Sequence, residues 1–281
     1  MEILYDEPIE TYHRKGVHLN KSRLKQWLDD PSLFDVDMPV KKSDSIKTGD
    51  LVHKSFEVGY DKTMEWEIIP EEHSTLSGWK STKKTKEFRE SLSPDTTWIS
   101  AADHYLLSDM WQQIRANSAA QSVVDAIAHH EVSIRWSRAD GTQLKCRPDA
   151  ITKEGRVVDW KTCRYANPLK DWWKAVVDYG YHLQDALYRE GAKEAGWSDE
   201  PLIFVLISTS GSHQVQVVEL PSEACVIGKR MLEEAIEGIS AHKAFGTRLV
   251  PQGYGTVNTL PVPRSVFSLE NGNGSNDHSV W

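Results

Sequence analysis

The spacing of apolar residues changes between two periods along the chain, and each period predicts a different kind of element. Residues 202–207 form a continuous apolar run, typical of a strand at the centre of a sheet. Polar and apolar residues alternate in 131–136 and 214–220, which predicts strands with one buried face. Further strands are predicted at 66–70 and 143–150. Apolar residues at helical spacing predict helices over 20–28, 45–60, 101–129 with a break near Asn117, 167–195 and 221–245.

A β-hairpin is predicted at 150–158, where two short apolar runs flank a loop that ends in glycine. A three-residue loop at 153–155 sets a register in which Asp149 lies opposite Asp159. Like charges in directly opposed positions destabilise a sheet, so we expect a positive group between these two carboxylates.

Lys161 and a divalent metal ion are the two candidates for that positive group. Lys161 follows Asp159 by two positions, and residues i and i+2 of a strand face the same side. Mg²⁺ is usually held by one or two carboxylates together with phosphate oxygens and water. The alternative interpretation of the Asp-x-Lys tripeptide is a solvated ion pair at a sheet edge.

Three further groups of side chains have both a structural and a functional interpretation. His53 and Glu57 are one helical turn apart, as in an ordinary surface pair or at the side of a binding site. A stripe of Tyr181, Gln184 and Tyr188 is either half-buried or turned towards a ligand. The basic segment 80–90 is either a solvated face or a phosphate-contacting segment. Its candidate nucleic-acid contacts are Lys83, Lys84, Lys86 and Arg89.

Composition indicates an ordinary globular protein of 281 residues, with 39% hydrophobic and 26% charged residues. We expect one domain over 1–245, with an N-terminal helical part, and a flexible tail over 246–281 that is rich in Gly, Pro, Asn and Ser. The net charge of −8 argues against a protein that coats nucleic acid on every face, but it leaves room for a local basic channel. Most of the 11 tryptophans are expected in the core, with stacking on unpaired bases as the alternative for a few.

The compartment is inferred from the cysteines and from the apolar runs. Cys146, Cys163 and Cys225 are scattered, which suits a reducing environment. No apolar run reaches the roughly 18 residues of a membrane-spanning helix, and the N-terminus lacks the basic and apolar regions of a signal peptide. A cytoplasmic location without membrane attachment is therefore expected.

Five motifs occur in the order found in the PD-(D/E)xK nuclease superfamily, which the chain resembles. The likeness is greatest to the RecE-type (exonuclease VIII-like) branch of phages and prophages, and it spans about residues 20–245. The motifs are the helix at 20–30 followed by Asp-Pro, Thr48-Gly-Asp-Leu-Val-His53, Glu131-Val-Ser-Ile, Arg147-Pro-Asp149 with Asp159-Trp-Lys161, and Gln184-x-x-x-Tyr188. No single motif is specific, whereas five in this order are. Trp160 departs from the pattern, because relatives often carry a smaller aliphatic residue there.

The resemblance implies an α/β, restriction-endonuclease-like fold, in which a mixed central sheet is flanked by helices and metal binds at the hairpin. Asp149 and Asp159 are expected to bind Mg²⁺, with Mn²⁺ as a substitute. His53 is expected to ligate or orient at a second metal position, and Glu131 to be a further acidic contact.

Catalytic roles follow from the same resemblance. Lys161 is expected to position or activate the attacking water and to stabilise charge on the transition state. Gln184 and Tyr188 are expected to hold the backbone or the surroundings of the site. Phosphodiester cleavage needs a nucleophilic water at neutral pH and compensation of developing negative charge, and one or two metal ions supply both.

The resemblance implies a Mg²⁺-dependent exonuclease that degrades linear double-stranded DNA in the 5′→3′ direction and leaves 3′ single-stranded overhangs for recombination. Its expected partners are DNA ends, further copies of the chain in a homo-oligomeric ring, and a single-strand annealing recombinase in a bacterial host. One alternative is another nuclease of the superfamily, such as an iron–sulfur RecB-like exonuclease, although three cysteines are too few for a four-cysteine cluster. The other is a non-catalytic DNA-binding protein on the same fold.

Overall fold

The computed structural model describes residues 1–14, 16–36, 44–76, 78–94 and 96–245, with the backbone alone at 44 and 45. The predicted tail at 246–281 lies outside the described residues. In chain order the strands and helices are β1 (Glu2–Leu4), α1 (Ile9–His13), α2 (Lys21–Asp29), α3 (Asp44–Val58), α4 (Tyr60–Met64), β2 (Glu67–Ile68), β3 (Ser74–Thr75), β4 (Gly78–Trp79), α5 (Lys83–Glu90), β5 (Trp98–Ile99), α6 (Ala101–Ala116), α7 (Ser118–Ala126), β6 (Ile127–His130), β7 (Ser133–Ser137), β8 (Gln143–Cys146), β9 (Ala150–Thr152), β10 (Val157–Cys163), α8 (Trp172–Tyr179), α9 (Tyr181–Glu194), β11 (Ile203–Ser208), β12 (Val215–Val218) and α10 (Ser222–Phe245). No helix among them is long and apolar enough to cross a membrane.

The central sheet has the strand order β12-β11-β10-β9-β6. Its β10–β11 pair is parallel, while the other three pairs are antiparallel. Parallel neighbours need a crossover connection, which α8 and α9 supply here. A second, antiparallel sheet has the order β1-β7-β8. The predicted mixed central sheet flanked by helices is therefore confirmed.

The hairpin between β9 and β10 has the predicted register. Val157 pairs with Ile151 and Val158 with Ala150. The loop closes through a hydrogen bond from the Gly155 N–H to the carbonyl of residue 152, and Gly155 has a φ of +80°. Glycine adopts this left-handed conformation without steric cost, which explains why a tight turn forms here.

Side chains of β11 alternate between two hydrophobic cores, as a strand buried on both faces requires. Ile203, Val205 and Ile207 pack in the core that also receives residues of α3, α6 and α7. Phe204 and Leu206 pack on the opposite face, in the core that receives residues of α8 and α9.

The neighbouring strand β10 follows the same alternation and thereby positions two polar side chains. Trp160 belongs to the core beside α3, where its ring stacks on Phe56 with centroids 4.2 Å apart. Asp159 and Lys161 point to the opposite face, towards α9 and its Gln184. The alternation of side chains along β10 therefore places the predicted acid and lysine on the same face of the sheet.

Two predicted boundaries between helices and strands differ from the structure. The break near Asn117 is confirmed, because its side chain accepts a hydrogen bond from the Ala120 N–H and caps α7. The helix predicted to continue to residue 129 ends at Ala126, since 127–130 pairs with β9 as strand β6. The strand predicted over 143–150 is interrupted at Arg147–Asp149, where the chain leaves the three-stranded sheet for the central sheet.

The helix predicted over 167–195 is two helices, and the break is at Gly180. This residue ends α8 in the left-handed conformation, with φ of +66°, and it directly precedes α9. A Cβ at this position would lie 3.1 Å from the Lys25 side chain. The apolar spacing continues across the break, so periodicity alone predicted one helix.

Candidate metal centre and active site

Three prospective metal ligands meet where the chain passes between the two sheets. One ligand atom from each of His53, Glu131 and Asp149 lies within 4.8 Å of the other two, and we name this group the ligand cluster. The His53 Nδ1 atom is 3.5 Å from Asp149 Oδ1. All three residues are half-buried. Asp159, which was predicted to bind Mg²⁺ together with Asp149, is not one of these three residues.

Asp149 is fixed on both its backbone and its side chain. It ends the segment that leads from β8 in the smaller sheet to β9 in the central sheet. The Trp160 N–H donates to Asp149 Oδ2 at 2.8 Å, and the Glu131 N–H donates to the Asp149 carbonyl oxygen at 3.0 Å. The first bond ties the carboxylate to the strand that carries Asp159, and the second ties the backbone of Asp149 to another member of the ligand cluster.

Glu131 lies where the chain crosses between the sheets in the other direction, from β6 to β7. Its φ of +52° is uncommon for a residue other than glycine. Arg147 Nε donates to Glu131 Oε2 at 2.7 Å, and the same guanidinium donates to the Glu7 carbonyl and to Ser133 Oγ. The two crossing segments are therefore joined to each other and to the N-terminal segment.

His53 reaches the cluster because α3 packs closely on the central sheet. Phe56, three residues after His53, stacks on Trp160 of β10. The Trp111 Nε1–H of α6 donates to Ser55 Oγ at 2.7 Å and holds α3 from its other side. Trp160, the residue that departs from the family pattern, thus packs against the helix that supplies a prospective ligand.

Asp159, Lys161 and Gln184 form a second group beside the ligand cluster. Asp159 is 1% exposed. Gln184 Nε2 donates to its Oδ1 atom, and Lys161 Nζ forms an ion pair with its Oδ2 atom. Tyr188 lies one turn after Gln184 on α9, and burial raises the pKa of its hydroxyl well above the ordinary value, so that it stays protonated. Gln184 therefore contacts the predicted acid directly, whereas Tyr188 packs against two of the hydrophobic cores.

The pKa values of the buried Asp159 and of the half-buried Asp149 are shifted in opposite directions. Burial raises the pKa of Asp159 and the nearby Asp149 adds to this, while Lys161 acts against it. Burial also acts to raise the pKa of Asp149, but His53, Lys161 and the Trp160 N–H hold it below its ordinary value. Burial acts to lower the pKa of Lys161, yet both carboxylates raise it above the usual range. Lys161 is therefore a permanent cation in the metal-free protein.

A second lysine lies near the site and was missed in the sequence. Lys21 Nζ, at the start of α2, is 5.6 Å from the centroid of the Tyr181 ring, while Lys161 Nζ is 4.8 Å from it. Burial lowers the pKa of Lys21 to about 8, and Lys161 acts in the same direction. No local spacing connects residues 21, 161 and 181, so only the three-dimensional fold shows their proximity.

The predicted basic contacts lie on α5. No described contact connects this helix with the ligand cluster. Lys83, Lys84, Lys86 and Arg89 are exposed. Phe88 of the same helix stacks on His73 at 4.4 Å, and Arg89 lies over the Trp79 ring. This helix is therefore packed on the β3–β4 hairpin, and its role with nucleic acid stays a prediction.

The donor set of the ligand cluster fits a divalent cation. Its two carboxylates are the oxygen ligands that Mg²⁺ and Mn²⁺ prefer, and the low pKa of Asp149 keeps that group ionised. Imidazole is a common ligand of transition metals, so the His53 nitrogen is compatible with Mn²⁺ as well.

We expect the metal-free protein to lose stability as the pH rises from about 6.5 to about 9. Burial acts to lower the pKa of His53, but Asp149 raises it from 6.5 to about 9. Over this range the unfolded chain releases the imidazole proton while the folded chain keeps it, so the free energy that protonation of His53 contributes to the folded state decreases progressively. Because the ring is partly solvated, we expect a decrease of only about 1 kcal/mol in the free energy of unfolding.

Urea unfolding with a metal chelator present measures this change, and the His53→Gln variant is the control. The unfolding free energy of the variant should change less with pH over the same range. Parallel curves for the two proteins would contradict a charged His53–Asp149 pair.

The comparisons with known proteins agree with this architecture. Residues 32–250 match the family described as "PDDEXK-like domain of unknown function (DUF3799)". The crystal structure of a candidate exonuclease from Eubacterium rectale is similar, with a TM-score of 0.60 and 14% identity over 95% of this chain and 99% of the other. A second solved structure, with a TM-score of 0.28 and 15% identity over 82% of this chain and 95% of the other, is too distant to support an inference. None of the curated proteins matches the chain significantly.

The family match covers most of the chain, and the chain therefore belongs to the PDDEXK-like domain family. The likeness to the Eubacterium rectale protein, at 14% identity, supports the shared fold. The ligand cluster and the Asp159–Lys161 pair lie inside the matched range.

Proposed function

We propose that the protein is a metal-dependent deoxyribonuclease, more specifically a RecE-type exonuclease that degrades linear double-stranded DNA in the 5′→3′ direction and leaves 3′ overhangs. The observation that supports this best is the ligand cluster of His53, Glu131 and Asp149 next to the buried Asp159–Lys161 ion pair. The similarity to a candidate exonuclease from Eubacterium rectale supports the same reaction class.

The metal would be Mg²⁺, with Mn²⁺ as a substitute, held by Asp149 and Glu131 with His53, and with Asp159 at its side. When bound, such an ion supplies a nucleophilic water at neutral pH and neutralises negative charge on the phosphate. Asp149 is already ionised for this role, and the Trp160 N–H fixes its orientation.

The chain's own contribution to catalysis would come from the second group. Lys161 is protonated, so it donates hydrogen bonds to a phosphate oxygen and stabilises the charge that develops there; it does not act as a base. Gln184 holds the Asp159 carboxylate in place through its amide. Tyr188 would remain neutral and would hold the surroundings of the site through its packing against the hydrophobic cores.

The wider proposal includes DNA ends as substrate and a homo-oligomeric ring around the duplex, because a single chain of 281 residues is small for enclosing DNA. A single-strand annealing recombinase would receive the overhang in the cytoplasm of a bacterial host, with the prophage setting implied by the resemblance. The exposed basic residues of α5 would contact phosphates of the duplex.

The two alternatives are weakened by particular observations. The described cysteines are free, and Cys146 is buried within a hydrophobic core, which disfavours an iron–sulfur site of the RecB-like type. A non-catalytic DNA-binding protein would not need a buried Asp159–Lys161 pair beside prospective metal ligands, and the structure retains both.

Digestion of linear duplex DNA labelled at either the 5′ or the 3′ ends tests the proposal. With Mg²⁺ we expect early release of the 5′ label, a persisting 3′-labelled strand and no reaction with a chelator. Covalently closed circular DNA of the same sequence is the control and should resist digestion. Early release of the 3′ label would refute the polarity, and equal cleavage of the circle would refute an exonuclease.

A further inference from the structure

A cavity with a volume of about 270 Å³ opens between α9 and α10, and we name it the α9–α10 cavity. The residues that α9 contributes are three and four positions apart, so they share one face of the helix. They are Ala186, Arg189, Glu190 and Lys193. Gln184, which contacts Asp159, is two positions before Ala186, and residues two apart on a helix do not share a face. The cavity is therefore separate from the proposed active site.

Close packing of α9 on α10 fixes the walls of this cavity. The Gly228 backbone of α10 packs so closely on α9 that a Cβ at this position would lie 1.9 Å from the His182 carbonyl oxygen. Further along both helices, Glu190 of α9 and Glu233 of α10 pair with the Arg138 guanidinium at 3.0 and 2.6 Å. The walls are therefore held at two points without a ligand.

Three cations line the cavity, and they differ in how far they are engaged. Arg189 Nε donates to the Asp199 carbonyl oxygen at 2.6 Å, and Arg189 Nη1 lies 3.5 Å from Asp185 Oδ2. Lys193 Nζ lies 3.2 Å from Asp199 Oδ2. Lys229 is exposed and forms no hydrogen bond or ion pair with the residues that the structure describes. The donors left for a ligand are therefore those of Lys229 and the remaining N–H groups of an anchored Arg189.

The acidic groups around the cavity already have donors of their own. Glu190 Oε1 accepts a hydrogen bond from Trp136 Nε1 at 2.9 Å, in addition to its ion pair. Asp185 is fully buried behind the arginine, and its Oδ1 atom accepts from the Leu202 N–H at 2.8 Å. Burial raises the pKa of the lining Cys225 to about 11, so this thiol is neutral. The chemistry of the cavity therefore favours an anionic ligand.

We propose that the α9–α10 cavity binds a small phosphate monoester, with its phosphate between Arg189 and Lys229 and its organic part on apolar side chains. An arginine fork matches pairs of phosphate oxygens, and the nearly double charge of a phosphate monoester gains more from two cations than a carboxylate does. Ala186, Val226 and Leu232 supply the apolar surface. The volume lies just below the range of about 300–1,000 Å³ typical of ligand sites, so a small ligand fits and a DNA duplex does not.

Isothermal titration of the full chain with phenyl phosphate tests the inference, and a chelator keeps the result independent of metal binding and cleavage. The wild type should bind phenyl phosphate, and Lys229→Gln should weaken binding about tenfold, the loss expected for one charge-assisted hydrogen bond. The matched control is Arg230→Gln, at an exposed neighbour on α10 that does not line the cavity, and it should bind as the wild type does. No binding by the wild type, or equal affinities of the two variants, would overturn the proposal.

Competing ligands identify the group that is recognised. Inorganic phosphate should displace phenyl phosphate, whereas benzoate should do so only at much higher concentration, because it carries a single charge. A short DNA duplex should not displace it. Displacement by the duplex would overturn the small-ligand site in favour of a DNA contact, and equal competition by benzoate and inorganic phosphate would overturn the recognition of phosphate.

Alkylation of Cys225 locates the ligand independently of the variants. This thiol lines the cavity and is partly exposed, whereas the partly exposed Cys163 lies outside it. Phenyl phosphate should slow the reaction of Cys225 with a maleimide at about pH 9 and leave that of Cys163 unchanged, as peptide mass spectrometry measures. Protection of Cys163 alone, or of neither thiol, would overturn the assignment of the ligand to the α9–α10 cavity, and equal protection of both would do the same.

Discussion

Replacement of Asp149 by asparagine is expected to lower metal-dependent cleavage by about 10³-fold, equivalent to about 4 kcal/mol of transition-state stabilisation. The pKa of Asp149 in the ligand cluster is held below its ordinary value, so the group is ionised, and asparagine removes its charge without changing its size. An asparagine carbonyl oxygen still accepts the hydrogen bond that the Trp160 N–H makes to Asp149, so the fold should persist. Initial rates on linear duplex across Mg²⁺ concentrations measure the effect.

The matched control is Asp109→Asn, the same substitution at an exposed position of α6. It should leave both the cleavage rate and the unfolding midpoint unchanged. Isothermal titration with Mn²⁺ should in addition show weaker binding to Asp149→Asn than to the control. A cleavage rate for Asp149→Asn within about tenfold of the wild type would remove this residue from the proposed metal centre.

The Lys161→Met variant is expected to lose activity and also about 3 kcal/mol of unfolding free energy. Asp159 is 1% exposed, and Lys161 is its ion-pair partner, so the substitution leaves a buried carboxylate without compensation. The pKa of Asp159 is already raised, and loss of the lysine raises it further. The carboxyl group then takes up a proton at low pH, so the loss should be smaller at about pH 5 than at about pH 8.

Addition of Asp159→Asn to Lys161→Met separates stability from catalysis. The double variant removes both charges and keeps an oxygen that can accept the Gln184 hydrogen bond. We expect it to recover most of the lost unfolding free energy while it remains inactive. Urea unfolding at the two pH values and rates on labelled duplex decide the matter. Equal destabilisation of the single and double variants would show that the buried ion pair is not the cause.

The parts of the fold that local rules determine were predictable from the sequence. The β9–β10 register follows from the two apolar runs and from Gly155, whose positive φ closes the turn. The run at 202–207 predicted a central strand because a strand buried on both faces needs apolar residues throughout. The i, i+2 relation placed Asp159 and Lys161 on one face, as the structure shows.

The predicted bounds were wrong for those elements in which tertiary contacts override local spacing. Residues 127–130 continue a helical pattern, yet they pair with β9 because the edge of the central sheet is available to them. Gly180 falls within an apolar stripe. The spacing of that stripe does not indicate the left-handed conformation with which Gly180 separates α8 from α9. Pro148 interrupts the predicted strand at 143–150, where the chain passes from one sheet to the other.

The sequence indicated the residues of the candidate site, whereas their contacts depend on the fold. Opposed positions on the hairpin left Lys161 and a metal ion as candidates for the positive group between Asp149 and Asp159, and in the structure Lys161 and Gln184 contact the oxygens of Asp159. Ligand atoms of His53, Glu131 and Asp149 converge beside them. The partners of the two carboxylates depend on the positions of α3 and α9. These helices lie far from the hairpin in sequence, and no local pattern predicts how they are oriented.

The hydrogen bond from Arg147 to the Glu7 carbonyl has a practical consequence for handling the protein. Met1 precedes β1, the edge strand of the smaller sheet, and the backbone of Glu7 holds the arginine that orients Glu131. A purification tag joined directly to Met1, or trimming of the opening residues, therefore acts on a side chain more than a hundred positions away. A loss of activity after such a change would indicate that the Glu131 carboxylate has shifted, and not that a functional group is missing.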